Sequence, residues 1–289
     1  MNENDINNIP SENNPMFNEE RNEKVSDIYN EPTAPMSAPN NKEPQYGITF
    51  NWTNLLIGAF LFFGLFNGSK IFSDWSFYIY LAVVVIIHEL GHVIFGKSFG
   101  CFIKEMQVFF FTFLSYKPKP SPKGSSWRDI KWSLGVLPLG GVTMFKSRES
   151  DYRRTVSAGE VLTSASSPYI EDKPAWQRLL ISAAGVLFNI ATFLILYIAR
   201  PYMSSECFAF FWPLLYMSLV LALLNILPIY PLDGGAIVFA LYEIITGKKP
   251  SPAFTKVCSW IGFIFIILFF WVFPGWLDRI LDFVFGMLF

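Results

Sequence analysis

The chain has two histidines and three cysteines in 289 residues, and only 16% of its residues are charged. Cys101, Cys207 and Cys258 form no CxxC pair and no even set, which argues against a disulfide framework or a thiolate metal site. Two histidines are too few for a di-iron membrane oxygenase. The charged fraction lies well below the ~25% usual in soluble domains. With a formal net charge of −1 there is no basic field to hold nucleic acid. No internal repeat is evident. What the chain does have is apolar mass: 52% hydrophobic residues, 31 phenylalanines and a mean hydropathy of +0.36.

Charge is unevenly placed. Residues 1–45 hold nine Asp/Glu against Arg21, Lys24 and Lys42, with eleven Asn. Such a segment buries too little apolar surface to offset its ordering entropy, so a disordered acidic tail is expected. It lacks the basic start and apolar run of a signal peptide. The expected core is 46–275, followed by a short apolar segment, 276–289.

Within the core, apolar runs recur near the ~20 residues that a helix needs to cross a bilayer. Candidates are 52–66, 75–95, 176–198, 208–227 and 254–273. Thirteen Lys/Arg lie from Lys97 to Arg178, whereas the 68–74 and 200–206 connections carry one each. The positive-inside rule then puts the tail, 97–175 and 235–252 in the cytoplasm, and five spans satisfy that alternation. The segment 101–146 differs. Residues 103–113 are β-prone, 117–124 reads as a turn, and 129–136 alternates at period two. The expected architecture is an all-α polytopic membrane bundle of about five transmembrane helices with a small membrane-associated β-element. Its strands cannot face lipid unpaired, so the element packs on protein or lines a wet cavity.

The second span contains His88-Glu89-Leu90-Gly91-His92. Residues four apart share one helix face. Two imidazoles there suit one Zn²⁺, and Glu89 beside them can reach a zinc-bound water. A zinc hydrolase uses three protein ligands plus water, and no third histidine exists. Asp233, in Leu232-Asp233-Gly234-Gly235 after a span and two prolines, is the best-placed donor. A helix N-cap is its competing role.

These residues resemble the site-2 protease family, the intramembrane zinc metalloproteases. His88–His92 matches the family's HExxH and Leu232-Asp233-Gly234 its LDG. Gly135-Val136-Leu137-Pro138-Leu139-Gly140-Gly141 is similar to the membrane-associated β-element of the bacterial branch. Arg178 through Gly185 to Asn189 is similar to its R-x-x-x-x-x-x-G-P-x-x-N signature, with Val186 where proline is usual. No room exists between 142 and 173 for a PDZ domain, and none follows the core. The resemblance implies a zinc metalloendopeptidase with one Zn²⁺ per chain held by His88, His92 and Asp233. Glu89 is the expected catalytic base. Single-pass membrane proteins are the expected substrates, cut in regulated intramembrane proteolysis.

The expected location is a bacterial cytoplasmic membrane, spanned several times, with lipid as neighbour and no nucleic-acid partner. A substrate helix must be unwound before cleavage, and a strand edge can do this by β-augmentation. Residues 132–142 are the candidate edge. Leu137, Pro138, Leu139, Gly140, Gly141 and Asn189 are candidate substrate contacts, with interhelical glue as the competing role for Asn189. The competing functions are a metal transporter and a non-catalytic scaffold that retains the motif.

Overall fold

The computed structural model describes residues 46–66, 75–119, 127–147 and 167–272. The tail 1–45, the 67–74 connection and the segment 276–289 lie outside the described residues. Six helices are described: α1 (Trp52–Phe66), α2 (Trp75–Ser98), α3 (Ala175–Ala199), α4 (Ser205–Asn225), α5 (Asp233–Thr246) and α6 (Pro252–Val272). Three strands accompany them: β1 (Gly47–Phe50), β2 (Ile103–Lys117) and β3 (Lys131–Phe145).

Helix is the state in which an apolar segment satisfies its own backbone without water. Among the described residues, three stretches are long and apolar enough to cross a membrane: Ser76–Ser98, Ala175–Tyr202 and Ser205–Asn225. Two of the expected five are shorter as apolar helices, Trp52–Phe62 and Pro252–Ile266. The outward faces of the long helices are apolar: Ile79 of α2 and Ile195 of α3 are each 66% exposed, as suits side chains that meet lipid.

Local signals set the helix ends. Pro174 stands immediately before α3, where its missing N–H is harmless. The Ser204 hydroxyl accepts from the Cys207 N–H at 3.2 Å and caps α4. Gly247, at φ 70°, ends α5, and its N–H donates to the Glu243 carbonyl at 2.8 Å.

The third helix is the hub of the bundle. It packs against α2, α4 and α5. A partly buried ion pair between Arg178 of α3 and Glu243 of α5 ties those two together. A core cluster joins Val85 and Val93 of α2 to Ile103, Met106, Val108 and Phe109 of β2 and to Ile130.

The three strands form one sheet in the order β1-β2-β3, all antiparallel. Its register doubles. Met106 is opposite both Trp132 and Thr143, and Gln107 opposite both Ser133 and Val142. The two ends of β3 therefore flank the same stretch of β2. Phe109 and Phe111, at φ 65° and 57°, bend β2 so that residues 112–116 reach back to the start of β3. Gly135 sits in that bend, where a Cβ would lie 2.2 Å from the Phe110 carbonyl oxygen.

This arrangement corrects the expected edge. Trp132, Ser133 and Leu134 each have partners on two sides, Tyr116, Ser115 and Leu114 on one and Met106, Gln107 and Val108 on the other. They are interior strand. Gly141 to Phe145 has one partner stretch each among the described residues, so the free side lies there. The period-two alternation also runs opposite to that of a soluble sheet. Ser133 and Gly135 are buried while Trp132, Leu134 and Val136 are half-buried. The reason is chemical. Ser133 donates to the buried carboxylate of Glu105, which also pairs with Lys131 at 3.1 Å, so polarity is sequestered inside the element.

Candidate metal centre

His88 and His92 lie one helical turn apart on α2, with ring centroids 4.9 Å from each other. Both are buried, 5% and 8% exposed. The facing row of α3 is Ile181, Gly185 and Asn189, again at four-residue spacing. Rows at this spacing on two helices interlock. Each residue of the α3 row has a distinct relation to the imidazoles.

Ile181 offers its carbonyl oxygen, 2.7 Å from His92 Nδ1. A carbonyl only accepts, so Nδ1 carries the proton and Nε2 is left with a bare lone pair. Gly185 offers emptiness. A Cβ there would lie 2.5 Å from His92 Nε2 and 2.6 Å from His88 Nε2. Asn189, fully buried, places its amide 3.2 Å from His88 Nδ1. Its oxygen otherwise has no partner. Amide O and N are distinguished by their hydrogen bonds alone. With the oxygen turned toward His88, Nδ1–H donates to it, both atoms are satisfied, and Nε2 again presents a lone pair.

The third atom comes from α5. After α4 the chain turns through residues 226–232, with Leu232 N–H donating to the Ile229 carbonyl at 2.8 Å. Gly234 lets it pass: a Cβ there would meet the Leu227 carbonyl oxygen at 2.1 Å. Leu232 occupies the N-cap of α5, not Asp233. Asp233 is the first helical residue and sends Oδ2 to 3.0 Å from His88 Nε2 and 3.3 Å from His92 Nε2. The two Nε2 atoms are 3.3 Å apart.

Asp233 Oδ2 is buried and accepts no hydrogen bond. With both imidazoles neutral and protonated on Nδ1, three acceptor atoms face one another at 3.0–3.3 Å. That is unfavourable unless a cation joins them. Tetrahedral zinc bonds of about 2.0–2.1 Å place neighbouring donors about 3.3–3.4 Å apart, so the set fits Zn²⁺. His88, His92 and Asp233 form the single three-donor group among the described residues.

Glu89 stands beside this trio and is 3% exposed. It points to the sheet rather than to α3. The Thr143 hydroxyl donates to Glu89 Oε2 at 2.7 Å, and Gly141 abuts the same carboxylate. Of the five β-element residues expected at the site, Gly141 meets Glu89. Leu137 is buried opposite Phe110 at the bend, Pro138 is buried, Leu139 is 51% exposed, and Gly140 turns the strand at φ 126°. Asn189 lies behind His88, on the side away from Asp233's approach. Its observed partner makes it a ligand-orienting residue. Sequence reasoning missed Thr143 and the Ile181 carbonyl. The first was signalled by its place two residues after Gly141, hence on the same strand face. The second is a backbone atom and leaves no trace in the sequence. Val186, in place of the usual proline, lies within an unbroken α3.

The chain is similar in sequence to known proteins. The chain is 43% identical over 115 residues to a "Putative zinc metalloprotease" of Thermotoga maritima, covering 39% of this chain and 20% of that protein. It is 30% identical over 122 residues to Metalloprotease MmpA of Caulobacter vibrioides, covering 38% and 28%. The matched region is thus under a third of either relative's length. Among solved structures, Site-2 Protease from Methanocaldococcus jannaschii aligns with a TM-score of 0.43 and 22% identity over 82% of this chain and 84% of that one. Residues 76–206 and 200–269 match the model of Peptidase family M50, and the chain belongs to that family.

Proposed function

We propose that this chain is an intramembrane zinc metalloprotease that hydrolyses peptide bonds in or near transmembrane segments of single-pass membrane proteins. The observation that carries this reading is the meeting of three proton-free donors, from α2 and α5, beside the buried carboxylate of Glu89. Family membership points the same way. A transporter needs a succession of donor clusters along a path, and the described residues supply one cluster.

His88, His92 and Asp233 hold the metal. Zinc bound there supplies an acidified water and a polarised carbonyl. Glu89 accepts the proton of the attacking water through a carboxylate oxygen and returns it to the departing amine. The Ile181 carbonyl and Asn189 hold the two imidazoles in the tautomer that leaves Nε2 free. Helical substrate hides its peptide bonds, so the scissile stretch must be extended. The free side of residues 141–145 offers ladder hydrogen bonds to such a strand, next to Glu89.

The membrane reading keeps five spans, with the N-terminal tail and the basic 97–175 segment on the cytoplasmic side of a bacterial membrane. The test is co-expression with tagged single-pass proteins. Wild type is expected to release a cleaved fragment. Glu89→Gln is expected to release none while keeping one zinc per chain by metal analysis. Equal cleavage by both removes Glu89 from the chemistry. No cleavage of any candidate by wild type, with zinc bound, favours a scaffold.

A further inference from the structure

We infer that Thr143 is the positioning residue for Glu89: its hydroxyl holds carboxylate Oε2 to the sheet and so sets the orientation of the side chain beside the metal centre. The inference rests on the proteolytic reading above and extends it to a residue outside the HExxH and LDG motifs.

A carboxylate on a helix swings about three side-chain torsions. Adjacency to His88 therefore does not aim Glu89. Within α2, Glu89 follows a metal-ligand residue, so its side chain leaves the helix on a different face from the imidazoles. Something outside the helix must hold it, and the sheet does so.

The last stretch of β3 runs along α2. Residues two apart on a strand share a face. Gly141, Thr143 and Phe145 are such a row, and each meets α2 in turn. Gly141 abuts Glu89, where a Cβ would lie 2.8 Å from both Cγ and Oε1. Thr143 bonds to Oε2 at 2.7 Å. Phe145 packs its ring on Gly96, where no side chain intervenes. The aromatic contact anchors the strand on the helix. The glycine leaves space for the carboxylate. The threonine between them supplies the one directional bond.

The chemistry of that bond sorts the two oxygens. The hydroxyl donates to Oε2, and its second contact, 3.4 Å from the Glu89 carbonyl, keeps it over the same residue. Oε1 lies against Gly141, takes no part in the Thr143 bond, and so remains able to take a proton. Threonine is stiff at χ1, so the donor is fixed by the strand rather than by chance rotation. Strand position thus becomes carboxylate orientation. A substrate strand pairing along the free side of 141–145 would bear on the same row.

Three variants test this in the full-length protein in detergent, on a substrate cleaved by wild type and not by Glu89→Gln. Thr143→Val keeps the shape and removes the hydroxyl. It is expected to lower kcat about tenfold to a hundredfold, the usual cost of one hydrogen bond to a charged group, with KM and zinc content unchanged. Thr143→Ser restores the donor and is expected to recover most of kcat. Gly141→Ala crowds the carboxylate and also meets the Gln107 carbonyl oxygen at 2.8 Å, so it strains the strand that carries Thr143 and is expected to lower kcat as well. The inference is overturned if Thr143→Val turns over like wild type. It is equally overturned if its loss is in KM or zinc content, or if serine fails to rescue it. If wild type and Glu89→Gln are alike on every substrate, the proteolytic reading falls and this inference with it.

Discussion

Replacing Gly185 by alanine should strip the metal from a protein that still folds. On local grounds the change is favourable, since Ala in a helix interior is preferred over Gly by about 1 kcal/mol. The site reverses this. The new methyl would lie 2.5 Å from His92 Nε2 and 2.6 Å from His88 Nε2, against 3.4–4 Å for ordinary contact. Both rings must retreat by about 0.8 Å, four times the ~0.2 Å tolerance of a zinc–ligand distance. The rings are the ends of rotatable side chains, so they can swing aside without moving the helices. His92 then leaves the Ile181 carbonyl as well. Disturbing one outer-shell partner typically costs 10–100-fold in metal affinity, and here two direct ligands move, so the loss should be at least about 100-fold. Chelator competition on purified protein measures it, and a thermal melt of the metal-free form checks the fold. Zinc binding by Gly185→Ala within threefold of wild type would refute the assignment of the two Nε2 atoms that crowd Gly185 as metal ligands.

Two further outcomes are expected. Asn189→Ala should weaken zinc binding about 10–100-fold by releasing His88 from its tautomer, whereas Asn189→Asp, which keeps an acceptor, should bind nearly as wild type; the same competition assay decides. Arg178→Ala leaves Glu243 partly buried without its partner and should cost up to about 3 kcal/mol, read from denaturant unfolding of the solubilised protein, with Arg178→Ala/Glu243→Ala recovering much of that loss.

The metal centre was largely readable from the sequence because its signals are local or strongly typed. Four-residue spacing puts His88 and His92 on one helix face whatever surrounds them. Asp233 followed by two glycines is a carboxylate with room to be approached. The β-element was readable as strands but not as a register. Its bend falls at Phe109 and Phe111, where left-handed backbone occurs without glycine, so no composition signal marks it. Its period-two alternation did not say which face turns inward, and here Ser133 and Gly135 do. Pairing between distant strands decides which edge is free, and that choice moved from Trp132 to the 141–145 stretch. Thr143 escaped notice for the same reason: its importance depends on what lies across the sheet–helix boundary. The span count divides along similar lines. Three helices carry enough apolar length in themselves, and the other two are shorter.

The order in which the donors are synthesised has a consequence for how such a protein is made. The two imidazoles and the carboxylate base emerge together on α2, but Asp233 appears only after the sheet and two more spans have been translated. A nascent chain halted before Leu232 carries Glu89 and an incomplete candidate ligand set. The candidate ligand set is thereby completed late in translation, with only α5 and the helix after it, of the described elements, still to be made.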